Sequence, residues 1–143
     1  MRAPVQAVGA VGIVELRIPN KAEWVAVARL AVAAVAHRLP FTIEEIEDLK
    51  LAVAEACTNA IQHAVGASSI EIICDASAEA LRLTVRDAGH ALPAASLSVS
   101  SFETPETPSN LGVFLIRSLM DEVEYTHDPE TGTSLVMVKR VAH

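Results

Sequence analysis

A two-layer α/β sandwich, three helices laid on one face of a mixed, mostly antiparallel sheet, is the fold class that this sequence predicts, and three observations predict it. Segments of helical and of two-residue periodicity follow one another in the order strand, helix, helix, strand, strand, helix, strand, strand. The 143 residues are 51% hydrophobic and 20% charged, enough apolar side chain for one buried core. No repeat or linker divides them, so residues 1–143 read as a single domain with a flexible stretch at 1–10.

Val11 to Ile18 opens as a strand, with Val14, Leu16 and Ile18 alternating. Pro19-Asn20 punctuates, and Asn20 with Glu23 three residues on forms a helix start. The helix runs to about Arg38, and its apolar density (Val25, Val27, Leu30, Val32, Val35) predicts that much of it is covered. Leu39-Pro40 ends it. Thr42-Ile43-Glu44-Glu45 has the form of a capping box for a second, long helix. Its buried stripe is Ile46, Leu49, Val53, Ala56, Cys57, Ala60 and Ala64, up to Val65-Gly66. Beside that stripe Glu55, Asn59 and His63 stand one turn apart.

Ile70 to Cys74 and Leu81 to Val85 form a hairpin around Asp75 to Ala80. Leu81, Leu83 and Val85 point one way and Arg82, Thr84 and Arg86 the other, so the sheet has one buried face. Asp87 to Asn110 then spends 24 residues on Ala, Ser, Pro, Thr and Gly, a length that belongs to a lid, a binding loop or a disordered stretch. Leu111 to Met120 resumes helical spacing. Val123 to Thr126 and Thr133 to Val141 make a second hairpin around Asp128 to Gly132, with Leu135 to Val138 central.

Eleven Lys and Arg against 18 Asp and Glu leave a formal charge of -7, the wrong sign for a chain whose chief work is neutralising phosphate backbones. Aromatics are only 3%, which offers no stacking platform, and the lone Trp24 is assigned to the core. No uncharged apolar run approaches the roughly 20 residues of a membrane span. Cys57 and Cys74 form no metal motif and read as small core residues in a reducing, cytoplasmic setting.

Three fragments carry candidate chemistry. Glu55 and Asn59 lie on one side of a helix, where a carboxylate can deprotonate a hydroxyl or water and an amide oxygen is a hard ligand for Mg²⁺. Asp87-Ala88-Gly89 ends a strand, where an acid can accept from an exocyclic amine and a glycine admits a flat ring. Ser109-Asn110-Leu111-Gly112 opens a helix, whose free backbone N–H groups suit phosphate oxygens. Taken singly, the first reads rather as a solvated helix face and the second as an ordinary turn, and a helix cap accounts for the third equally well. His63 and Arg117 read likewise as surface residues or as additions to the site.

Their order is more specific. A Glu/Asn helix, a hairpin ending in Asp-x-Gly, a long segment, a helix entered through Leu111-Gly112 and a strand opening Gly132-Thr133 resemble the Bergerat-type (GHKL) ATP-binding domain from Val14 to Val141. The stretches EDLKLAVAEACTNAIQHA and FLIRSLMDEVEY are most similar to those of the bacterial anti-sigma factor serine kinases. The resemblance implies ATP and Mg²⁺, with Glu55 as catalytic base, Asn59 as Mg²⁺ ligand and Asp87 accepting from the adenine amine. It places Gly89 under the ring, Thr133 beside it, and Asn110, Leu111 and Gly112 against the phosphates, with 90–110 as the ATP lid. The implied partners are a sigma factor, an anti-anti-sigma protein phosphorylated on serine or threonine, and a second copy of the chain, with no direct contact to nucleic acid or membrane. The sequence departs from the family pattern at Ala91 and Asn110, each in place of a glycine, and in a lid that carries Glu103 and Glu106 but no Lys or Arg. Those departures leave a second reading open, a module of this fold that sequesters its partner without phosphoryl transfer.

Overall fold

The computed structural model describes residues 12–63, 69–87, 108–128 and 132–141. Five strands, β1 (Gly12–Pro19), β2 (Ser69–Ala76), β3 (Ala80–Asp87), β4 (Glu122–Asp128) and β5 (Gly132–Arg140), accompany three helices, α1 (Val25–Ala36), α2 (Ile43–His63) and α3 (Pro108–Leu119). The sheet order is β1-β2-β3-β5-β4, and every neighbouring pair is antiparallel. The parallel pair that a mixed sheet requires is absent among the described strands. After β3 the chain crosses through α3 to the far edge, lays down β4, and turns back so that β5 enters the gap beside β3.

Two-residue alternation decides which face of the sheet is covered. In β2 and β3 every second residue is buried: Ile70, Ile72, Cys74 and Ala76, then Leu81, Leu83, Val85 and Asp87. Leu135 and Met137 of β5 extend that face. Against it lie Ala28, Val32, Val35 and Ala36 of α1, Ile46, Leu49, Ala52, Val53, Ala56 and Cys57 of α2, and Ile116 of α3. Each fully buried Leu or Ile contributes about 1.5–3 kcal/mol, so this single layer supplies most of the driving force for folding. The opposite face mixes charged side chains with Ile73, Val136 and Val138, and there Glu71 bridges its cross-strand neighbours Arg17 and Arg86, the latter at 2.6 Å.

The capping box forms as expected: Thr42 N–H donates to Glu45 Oε1 at 2.8 Å, and Glu45 N–H donates to Thr42 Oγ1 at 3.1 Å. Both cysteines are core residues, and burial pushes their thiols up, Cys57 to about 12 and Cys74 to about 11. Lys139 lies on the covered face and donates from Nζ to the Leu119 carbonyl at 2.8 Å, closing the C-terminal end of α3.

Other expectations are corrected. Asn20 does not cap α1; a 3-10 turn, Ala22–Trp24, intervenes, and the helix starts at Val25 without a side-chain cap. Trp24, assigned to the core, is 41% exposed, and Leu30 is 68% exposed, so α1 is less covered than its apolar density suggested. The cause lies in the sheet: among the described residues β1 is an edge strand, and α1 beside it has no further element on its outer flank. α3 begins at Pro108, three residues before the periodic Leu111. Proline suits a first helical turn, where its missing N–H is not needed. The expected lid over 90–110 and the flexible stretch at 1–10 lie almost entirely outside the described residues, as do Gly89 and Ala91.

Candidate functional site

An apolar interior leaves a polar group stranded unless it has a partner or a ligand, so buried polar side chains are informative. Among the described residues those of the core are Asn59 and Asp87, each 8% exposed. Both were candidates from sequence, and the fold brings them to one place. Asn59 reaches it from α2. Asp87 ends β3 on the covered face, because odd-numbered residues from Leu81 onward alternate inward.

β5 supplies the third side. Arg86 pairs with Ser134, so Thr133 comes opposite Asp87, and its backbone N–H donates to Asp87 Oδ2 at 3.1 Å. Just before it Gly132 adopts φ 96°, in the left-handed region that side chains other than glycine's rarely enter. That residue turns the β4–β5 hairpin and aims Thr133 at the site. β4 adds Tyr125, opposite Leu135 in the register. Burial holds the Tyr125 phenol above its usual value; a side-chain hydrogen bond with Thr133 opposes this and the negative charge of Asp87 adds to it.

Together these residues line a shallow recess, open to solvent. Its walls are Val85, Leu135 and the small Ala56 and Ala60, and its polar groups are Asn59, Asp87, Thr133 and Tyr125. Flat apolar walls with one inward carboxylate suit a heteroaromatic ring that carries an exocyclic amine. The carboxylate accepts the Thr133 backbone N–H at Oδ2 and faces the recess.

One turn before Asn59, half-buried Glu55 stands where α3 packs against α2. A Cβ built on Gly112 of α3 would lie 3.0 Å from Glu55 Oε1, so base candidate and helix meet without a side chain between them. Asn110 and Leu111 belong to the first turn of α3, whose free amides precede Gly112. The structure therefore gathers Asn59, Asp87 and Thr133 around one recess and sets Glu55 and Gly112 against each other beside it. Arg117 is exposed on α3, and the side chain of His63 lies outside the described residues.

Sequence reasoning missed Tyr125 and the flanking alanines. The signal for Tyr125 was present: Val123 faces the core, and a strand returns to that face two residues later. The resemblance had already set Thr133 and Asp87 at one ring; the insertion of β5 beside β3 is what brings the two together.

Among the described residues no helix is long and apolar enough to cross a membrane. Residues 18–139 match the family model described as histidine kinase-like ATPase domain. The chain is 36% identical over 137 residues to the serine-protein kinase RsbW of Bacillus cereus (strain G9842), covering 90% of this chain and 84% of that relative. The RsbW proteins of Bacillus thuringiensis subsp. konkukian (strain 97-27) and Bacillus mycoides (strain KBAB4) are similar to the same extent. A crystal structure of the RsbU and RsbW domains of Rv1364c from Mycobacterium tuberculosis shares the fold, with a TM-score of 0.69 at 15% identity over 92% of this chain. The chain spans about a third, 33%, of that longer protein.

Proposed function

The chain belongs to the histidine kinase-like ATPase domain family, and from that premise we propose that it is an ATP-dependent serine/threonine protein kinase that binds a sigma factor and phosphorylates an anti-anti-sigma protein. The observation that carries the reading is the recess in which the two buried polar side chains of the core, Asn59 and Asp87, face one apolar-walled space. Asp87 accepts from the adenine amine, Thr133 and Tyr125 border the ring, and Gly89 lies under it. The first turn of α3, with Asn110, Leu111 and Gly112 at or next to it, offers backbone N–H groups to the phosphates.

The residues fit a magnesium ion held in the manner usual for nucleotide sites. Among the described residues no three His, Cys, Asp or Glu side chains form a metal cluster, whereas the buried Asn59 amide supplies the single hard oxygen that suits an ion held mainly by phosphates and water. When bound, Mg²⁺ neutralises charge on the β- and γ-phosphate oxygens. Glu55 receives the proton of the attacking serine or threonine hydroxyl as its oxygen bonds to the γ-phosphorus. The bond from that phosphorus to the oxygen bridging to the β-phosphate breaks, and ADP leaves with the electron pair.

Residues 1–143 act as one domain, with 90–110 closing over the nucleotide. The protein works in the cytoplasm, without direct contact to nucleic acid or membrane, as a homodimer; exposed Leu30 and Val27, on α1 beside the edge strand β1, support that pairing. The kinase name of the relatives favours this reading over a module that only sequesters. The test is incubation of the purified protein with Mg-ATP and the host's anti-anti-sigma proteins, followed by mass spectrometry for phosphoserine or phosphothreonine, beside a pull-down for sigma factors. One modified residue and a captured sigma factor are expected. Nucleotide bound with no transfer to any such protein would overturn the kinase assignment.

A further inference from the structure

Gly112 is the fifth residue of α3, an interior position where glycine is disfavoured relative to alanine. Backbone conformation does not call for it: Gly132 is the described glycine with positive φ. Space does. A Cβ at position 112 would stand 3.0 Å from Glu55 Oε1, closer than the ordinary contact range of 3.4–4 Å, whereas one at Gly12 would meet nothing within 4 Å among the described residues.

We propose that Gly112 is a positioning residue for Glu55: the side chain it lacks is the seat of the carboxylate, and it sets where that group stands one turn from Asn59. The proposal rests on the reading of Glu55 as the base. Among the described residues a methyl group at 112 meets the far end of a flexible side chain and no backbone, so the carboxylate moves aside while the helices keep their packing. Proton transfer tolerates little such movement, since the base must stay within about 2.6–3.2 Å of the hydroxyl, and a misplacement of about 1 Å costs on the order of a hundredfold in rate. Gly112→Ala is therefore a variant that folds at least as well as the parent and binds nucleotide, but has a displaced base.

The experiment has two arms. In ligand-free protein labelled with ¹³C at glutamate carboxyls, the Glu55 resonance is assigned by Glu55→Gln and compared at one pH in the parent, Gly112→Ala and Gly12→Ala. Gly112→Ala is expected to move the Glu55 resonance, and Gly12→Ala to leave it in place. In the second arm, Gly112→Ala is expected to lower kcat for transfer by at least about tenfold, hold the ATP Kd within about threefold and keep Tm at or above the parent value. Glu55→Asp, which withdraws the carboxylate by one methylene, is expected to be non-additive with Gly112→Ala in kcat. A Glu55 resonance unmoved by Gly112→Ala overturns the proposal, as does an ATP Kd raised tenfold with kcat intact, which would make Gly112 a nucleotide contact alone. The first arm needs no catalysis, so it decides the seat even if the parent transfers no phosphate and the kinase reading fails.

Discussion

Replacing Asp87 with Asn tests the nucleotide pocket at its most committed point. Asp87 is 8% exposed, its Oδ2 accepts the Thr133 N–H at 3.1 Å, and its side chain lines the recess. An Asn at 87 keeps its carbonyl oxygen on Thr133, which turns its NH₂ toward the adenine amine and sets donor against donor. A hydrogen bond to a charged group contributes about 1.5–3 kcal/mol net. At about 1.4 kcal/mol per factor of ten, the loss corresponds to roughly 10- to 150-fold weaker ATP binding. GTP carries a carbonyl where adenine carries the amine, so the same substitution swaps a repulsive acceptor for a donor and GTP binding should tighten. Calorimetric titration of parent and Asp87→Asn with Mg-ATP and Mg-GTP reads both numbers. A ligand-free check comes from Tyr125, the single tyrosine, whose pKa is raised in part by the Asp87 charge. Removing that charge should lower its midpoint in an absorbance titration at alkaline pH. ATP affinity within threefold of the parent, with an unchanged ATP-to-GTP ratio, would refute the adenine assignment.

Glu55→Ala should leave ATP bound while abolishing transfer, whereas Asn59→Ala should weaken the Mg²⁺-dependent part of binding; calorimetry with and without Mg²⁺ separates them, and identical loss of folding in both melts would return the pair to a structural role. Leu83→Ala, fully buried in the central strand β3, should cost about 2–5 kcal/mol and lower Tm by roughly 5–20 °C, and a shift under about 2 °C would contradict the placement of the core. With thiols raised to about 12 and about 11, Cys57 and Cys74 should react with a disulfide reagent at pH 8 only after unfolding, and native reaction at the rate of free cysteine would show that they are accessible. The folded state holds protons that the unfolded thiols release near their ordinary value, so stability should fall as pH rises above about 9, at about 1.4 kcal/mol per unit for each thiol, in denaturant titrations across that range. A double Cys→Ala variant should flatten that decline.

Local order was in the sequence because it depends on neighbours a few residues away. Thr42 and Glu45 close their capping box over three residues, the stripe from Ile46 to Ala60 follows helical spacing, and the alternation from Leu81 to Val85 carries on to put Asp87 on the covered face. The pairing of Glu55 with Asn59 on one side of α2 needs only the pitch of a helix. Contacts between distant segments were decided by the tertiary structure alone. The order β1-β2-β3-β5-β4 inserts β5 beside β3, and only that insertion delivers Thr133 to Asp87, 46 residues earlier, with Tyr125 beside them. The same strand order left β1 at the edge, so among the described residues α1 is covered by α2 and the sheet but not on its outer flank, and Trp24 and Leu30 stay exposed despite an apolar sequence. Gly112 follows the same logic: helical spacing puts it in α3, but its reason for being glycine is the approach of Glu55, more than 50 residues away, which no local pattern encodes.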